Sequence, residues 1–183
     1  MKEKTNVPTE TEDGHLRELQ LGYFAEHFGE YAAEAARNQT GHIEYLDALA
    51  EGELADRMER RIARRIKEAK IPVMRSIAAF DWGHPAKINR QQVEMLMRLD
   101  FMKDCTNVVF IGPCGVGKSF LASCLVENAC RSGISAMFTQ AVDVANDLLA
   151  AQTANRLSQA MRKYMSPALL CIDELGYLPL GKD

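Results

Sequence analysis

Glycine, lysine and serine fall at spacings suited to a phosphate group in Gly112-Pro113-Cys114-Gly115-Val116-Gly117-Lys118-Ser119. The stretch matches the Walker A pattern G-x-x-x-x-G-K-[ST] in full. It follows an apolar run and precedes a helical one, the context this pattern requires. Gly112, Gly115 and Gly117 let the backbone turn its N–H groups inward to form an anion nest. A helix starting near Lys118 aims the positive end of its dipole at the same point. Lys118 is placed to reach β- and γ-phosphates, and the Ser119 hydroxyl to ligate Mg²⁺. Pro113, Cys114, Val116 and Phe120 complete the stretch expected to surround a nucleotide. The Cys114 thiol reads as a small side chain that the loop tolerates, with sensitivity to oxidation as the alternative.

A second constellation lies 55 residues after Lys118, where the apolar run Leu169-Leu170-Cys171-Ile172 ends in Asp173-Glu174. Carboxylates at the C-terminal end of a strand face the edge where open α/β sheets bind ligands. Asp173 is expected to hold the Mg²⁺ shell, as a Walker B aspartate does. Glu174 suits a general base that orients and deprotonates the water attacking the γ-phosphate. An acidic pair is a weak signal by itself. Together with the glycine loop it favours an ATP-hydrolysing machine over a GTPase, which positions water with glutamine.

The elements that must hold these residues follow from hydrophobic periodicity. After a stretch at 1–14 expected to be a disordered tail, Leu16, Leu19, Tyr23, Phe24, Phe28 and Tyr31 predict one helix that yields near Asn38-Gln39-Thr40-Gly41. A second helix carries Ile43, Leu46, Leu49, Leu54, Met58, Ile62 and Ile66 and stops before Pro72. Residues 15–75 therefore read as a small all-α unit, and 76–103 as a linker and helix. In that linker Asn89 is a candidate N-cap with Gln92 three residues on. Phe80 and Trp82 read there as an aromatic anchor that ties the linker to the core. From 104 to 183 the texture alternates. Strands are expected at Asn107–Ile111, Ser135–Thr139 and Ala168–Ile172, and helices at Lys118–Arg131, 141–152 and 155–165. That alternation argues for a three-layer α/β core with a mainly parallel sheet.

Composition narrows the class. The chain has 183 residues, 47% apolar and 26% charged, with a net charge of −3. No apolar run approaches the roughly 18 residues of a membrane span. The polar N-terminus lacks the apolar core of a signal peptide, so a cytoplasmic product is expected. Five cysteines without a Cys-x-x-Cys pair suggest reduced thiols, and four scattered histidines give no metal-ligand spacing. Charge is unevenly placed. Residues 1–56 carry 4 basic and 13 acidic side chains, whereas 57–75 carry 8 basic and 2 acidic. Arg57, Arg60, Arg61, Arg64, Arg65 and Lys67 flank the apolar stripe of the second helix. They suggest either a polyanion partner such as DNA or a solvated helix face.

The glycine loop GPCGVGKSFLA and the string Asp173-Glu174-Leu175-Gly176-Tyr177-Leu178-Pro179 resemble the IstB family, ATPase helpers of insertion-sequence transposases. The helical N-terminal unit, the arginine-rich helix and Ala69-Lys70-Ile71-Pro72 are similar to that family too. IstB proteins resemble DnaC-type helicase loaders of the AAA+ superfamily. The resemblance implies a P-loop AAA+ core preceded by a small helical domain, ATP and Mg²⁺ as cofactors, and DNA and a transposase as partners. It also implies self-assembly of the intact protein into a homo-oligomer, and a linker that runs past the nucleotide with Phe80 and Trp82 near the adenine as the alternative to an anchor. Replicative helicase loading is the alternative within the same chemistry, and a non-catalytic DNA- or partner-binding remnant is the alternative outside it. The sequence stops 9 residues after Glu174, short of the later strands, sensor residue and arginines of such cores. The expectation is a truncated or split coding sequence with little or no turnover.

Overall fold

The structure, a computed structural model, describes residues 10–83 and 88–177. Expectations for residues 1–9 of the tail, for Pro85 and for Leu178-Pro179-Leu180 lie outside the described residues. The chain divides into two compact units, Met1–Arg61 and Ile62–Asp183.

The first unit contains α1 (Glu10–Glu18), α2 (Gly22–Asn38) and the larger part of α3 (His42–Glu68). A single helix was expected across Leu16–Tyr31, but two are present. Gln20 adopts φ +60° and breaks the path, and Leu21 N–H donates back to Leu16 O at 2.8 Å. Leu21 then stands at the N-cap of α2 with no side chain able to accept. The free N–H groups of the first turn are satisfied from α3 instead. Glu53 Oε2 accepts from Tyr23 N at 2.9 Å and from Phe24 N at 3.4 Å. Glu53 is only 4% exposed. Burial alone would raise its pKa. The bonds from Arg57 and from the Phe24 and Tyr23 amides outweigh that and hold the carboxyl below the usual glutamate range.

The second unit begins on the last turns of α3. Lys70 adopts φ +55° just past the helix and ends it before Pro72. The chain then runs beside a strand, with Phe138 N–H donating to Ala69 O at 2.7 Å. Next come α4 (Arg90–Met97), α5 (Lys118–Arg131), β1 (Ala136–Gln140), α6 (Ala141–Thr153), α7 (Leu157–Met165) and β2 (Leu169–Asp173). Asn89 caps α4 as its spacing predicts, its Oδ1 accepting from Gln92 N at 3.2 Å. The two strands pair in parallel, Ala136 opposite Leu169 through Gln140 opposite Asp173. Helix α5 packs on both strands and is buried around most of its girth from Leu121 to Val126. Ala69, Leu99, Val126, Ala129, Cys130 and Phe138 form the centre of this core.

Asn107–Ile111 differs from expectation. Among the described residues it joins no strand, and the sheet is the two-stranded pair β1–β2. Phe110 packs into the core, but Val109 is 75% and Ile111 91% exposed. The apolar, β-branched composition is that of a strand. A ladder, however, needs a neighbour, and none of the described segments supplies one.

Candidate functional site

The glycine loop leads directly into α5, whose N-cap is Gly117. Gly115 and Gly117 have φ of +79° and +88°, a region that side-chain-bearing residues seldom enter. A side chain at Gly117 is excluded twice, because a Cβ there would also lie 2.7 Å from Phe80 Cε2. Since Gly117 has no side chain to offer, the first N–H groups of α5 have no side-chain cap. They are oriented for an anion. Lys118 bends back over the loop, its Nζ donating to Gly112 O at 2.9 Å and to Pro113 O at 2.7 Å. An ammonium is thus held at the rim of the backbone cup. A groove of about 550 Å³ runs beside it, lined by α4 residues such as Val93 and Leu96 and by Val109, Ile111, Pro113 and Lys118.

Asp173 ends β2, and Asp173 Oδ1 accepts the Glu174 N–H at 2.9 Å. Glu174 is exposed with φ +59°, an unusual conformation for a non-glycine residue and one found often at functional sites. Helix α5, which carries Lys118, Ser119 and Phe120, packs on β2, which ends in Asp173. Among the described residues, no cluster of three or more His, Cys, Asp or Glu side chains forms a metal site. A divalent ion held by Ser119 and Asp173 would therefore draw its other ligands from phosphate oxygens and water, the usual habit of Mg²⁺. The donor set fits ATP with Mg²⁺.

The basic residues all lie on α3, but they are not equivalent. Arg57 Nε donates to Glu53 Oε1 at 2.7 Å and Arg57 NH2 donates to Gln20 O at 2.8 Å. Arg60 pairs with Asp56 at 2.5 Å, and Arg64 lies 3.8 Å from Glu68. Among the described residues, Arg61, Arg65 and Lys67 form no ion pair with a carboxylate. Periodicity did not reveal that Glu53, an acidic residue within the same helix, neutralises the start of the run.

The family model for the IstB-like ATP binding protein matches residues 14–183. The chain belongs to this family. Relatives include the ATP-binding protein of insertion sequence IS5376 from Geobacillus stearothermophilus, 31% identical over 91% of this chain and 66% of its own. The IS232 protein of Bacillus thuringiensis subsp. berliner is 32% identical over 92% of this chain and 68% of its own. The IS21 protein of Pseudomonas aeruginosa is 29% identical, covering 92% and 63%. The names of all three give ATP binding as a provisional assignment. This IstB-like chain spans about two thirds of their length. As a family member it is a P-loop protein, here with mixed helix and strand and a small parallel sheet. None of its described helices is long and apolar enough to cross a membrane.

Proposed function

We propose that this chain binds ATP with Mg²⁺ at residues 112–120 and 173–174 and serves as an ATP-dependent helper in DNA transposition. The observation that carries the reading is Lys118 poised over a loop whose Gly115 and Gly117 have positive φ, at the start of a helix without a side-chain cap. In this reading the loop amides and Lys118 bind the β- and γ-phosphates, and Ser119 and Asp173 hold the ion. Mg²⁺ bound there would neutralise phosphate charge. Glu174, next to Asp173 at the end of β2, accepts a proton from the attacking water. The exposed Arg61 and Lys67, with the half-buried Arg65, contact the DNA backbone, and the transposase is the partner.

Family membership and relatives named for insertion sequences support this assignment. Glu174→Gln tests the chemistry. Binding of labelled ATP is retained while any phosphate release falls to background. Equal release by the variant removes Glu174 as the base. A second reading, DNA binding without turnover, is favoured by the 107–111 segment beside the loop, which joins no strand among the described residues. It predicts DNA affinity that is indifferent to ATP.

A further inference from the structure

The segment that precedes α4 is fastened to the phosphate loop by a small aromatic cluster. Ser76 caps the turn Ile77–Ala79, its Oγ accepting from Ala78 N at 3.3 Å, and so fixes the direction in which Phe80 leaves the turn. Phe80 is 7% exposed and packs with Val93 and Leu121. Its ring meets Phe120 at 5.3 Å and Trp82 at 4.9 Å between centroids, both edge to face. Arg75 stacks over Phe120 and Arg90 over Trp82. Cys124 Sγ donates to Arg75 O at 3.1 Å, tying the same segment to α5 one turn further on. At the centre of these contacts the Phe80 ring presses on Gly117, where even a methyl group would collide.

Gly117 is the residue whose positive φ turns the loop into α5. Any ring that fixes Gly117 fixes the orientation of the N–H groups on either side of it. We infer that Phe80 is a positioning residue for the phosphate loop, pre-setting the amide cup, and that Trp82 registers occupancy of the cup through it. The inference rests on the nucleotide reading above but adds a residue outside the loop and acidic pair. Its physical basis is pre-organisation, since a loop already held in its binding geometry loses less freedom when the phosphate arrives. The chain has one tryptophan, so its emission reports this cluster alone.

The test titrates the full 183-residue chain with ATP and Mg²⁺ while following two signals, uptake of labelled ATP and Trp82 emission. The expected result is an emission change that saturates with the same midpoint as uptake. Phe80→Leu, which keeps apolar bulk but removes the ring, weakens ATP binding about tenfold, the scale of one aromatic contact. Phe80→Tyr, which keeps the ring, restores wild-type affinity. A purely structural anchor would lower the melting temperature of Phe80→Leu but leave its ATP affinity unchanged. Equal affinities in wild type and Phe80→Leu overturn the positioning role, and saturable uptake with flat Trp82 emission overturns the reporting role of Trp82; either leaves the nucleotide site standing. No uptake by the wild type overturns both. Should Phe80→Leu fail to fold, the same affinity comparison with Phe80→Met, which also lacks the ring, decides the matter.

Discussion

Arg57 Nε lies 2.7 Å from the buried carboxylate of Glu53, one helical turn before it on α3. The first arginine of the basic run is therefore occupied inside the helical unit, whereas Arg61, Arg65 and Lys67 are not paired with carboxylates among the described residues. If the run binds DNA, its members should separate in a salt titration. Replacing Arg61, Arg65 and Lys67 with glutamine lowers the slope of log affinity against log salt by about 2 to 3, at roughly 0.9 per phosphate contact. Arg57→Gln leaves that slope nearly unchanged and lowers thermal stability instead. A slope loss for Arg57→Gln matching that of the triple variant contradicts the division.

Glu53 also makes the helical unit sensitive to acid. Its carboxyl is held below the usual range when folded, so the charged form is the stabilising one. The contribution is complete above the unfolded glutamate value and is lost as pH falls through the lower folded one. Glu53→Gln is expected to cost about 2 kcal/mol near neutrality, the scale of bonds to a charged acceptor. The gap from wild type should close as the solution becomes acidic. Denaturant melts followed by far-UV circular dichroism at several pH values measure it. A gap that widens in acid refutes the assignment.

Gly52 sits inside α3, where alanine would ordinarily gain about 1 kcal/mol in helix propensity. Here the gain is reversed. A Cβ at Gly52 would come within 2.1 Å of Tyr23 Cε1, and that ring is held by Tyr31 OH at 3.0 Å and by His27 at 4.3 Å between centroids. Gly52→Ala should destabilise by about 1 to 3 kcal/mol, as overpacking does. Added to Tyr23→Ala, the same change should stabilise. A thermal double-mutant cycle reads the sign change.

The thiols divide by environment. Cys124 is pushed up to about 11 and Cys171 to about 12, in both cases chiefly by burial, with Glu127 and Asp173 adding to it. Cys105 and Cys114 are exposed. At mildly alkaline pH an alkylating reagent should modify Cys105 and Cys114 in the native chain and reach Cys124 and Cys171 only after unfolding. Mass spectrometry of the peptides gives the order. ATP with Mg²⁺ should slow modification at Cys114 and not at Cys105.

The parts that were legible in the sequence are those with local causes. The span Lys118–Arg131, the Asn89 cap and the two paired strands each carry their signal in adjacent residues. What escaped is non-local. The break at Gln20 has neither glycine nor proline to announce it, and the apolar stripe from Leu16 to Tyr31 passes over it unchanged. Asn107–Ile111 has strand composition, but pairing depends on a neighbour that composition cannot reveal. In the candidate site, loop and acidic pair were readable because glycine, lysine and carboxylate chemistry is fixed by type and spacing. The seat of Phe80 against Gly117 was not, because the two are 37 residues apart and meet only after folding. The same holds for Glu53 and the amides of Tyr23 and Phe24.

The central claim is that the amides of 112–120 and Lys118 grip a triphosphate. Equilibrium dialysis of labelled ATP with Mg²⁺ against the wild-type chain and Lys118→Ala tests it most directly, with circular dichroism confirming that both are folded. Saturable uptake by the wild type and its loss in Lys118→Ala is the predicted result. Uptake of equal affinity by both proteins, or none by a folded wild type, contradicts the account.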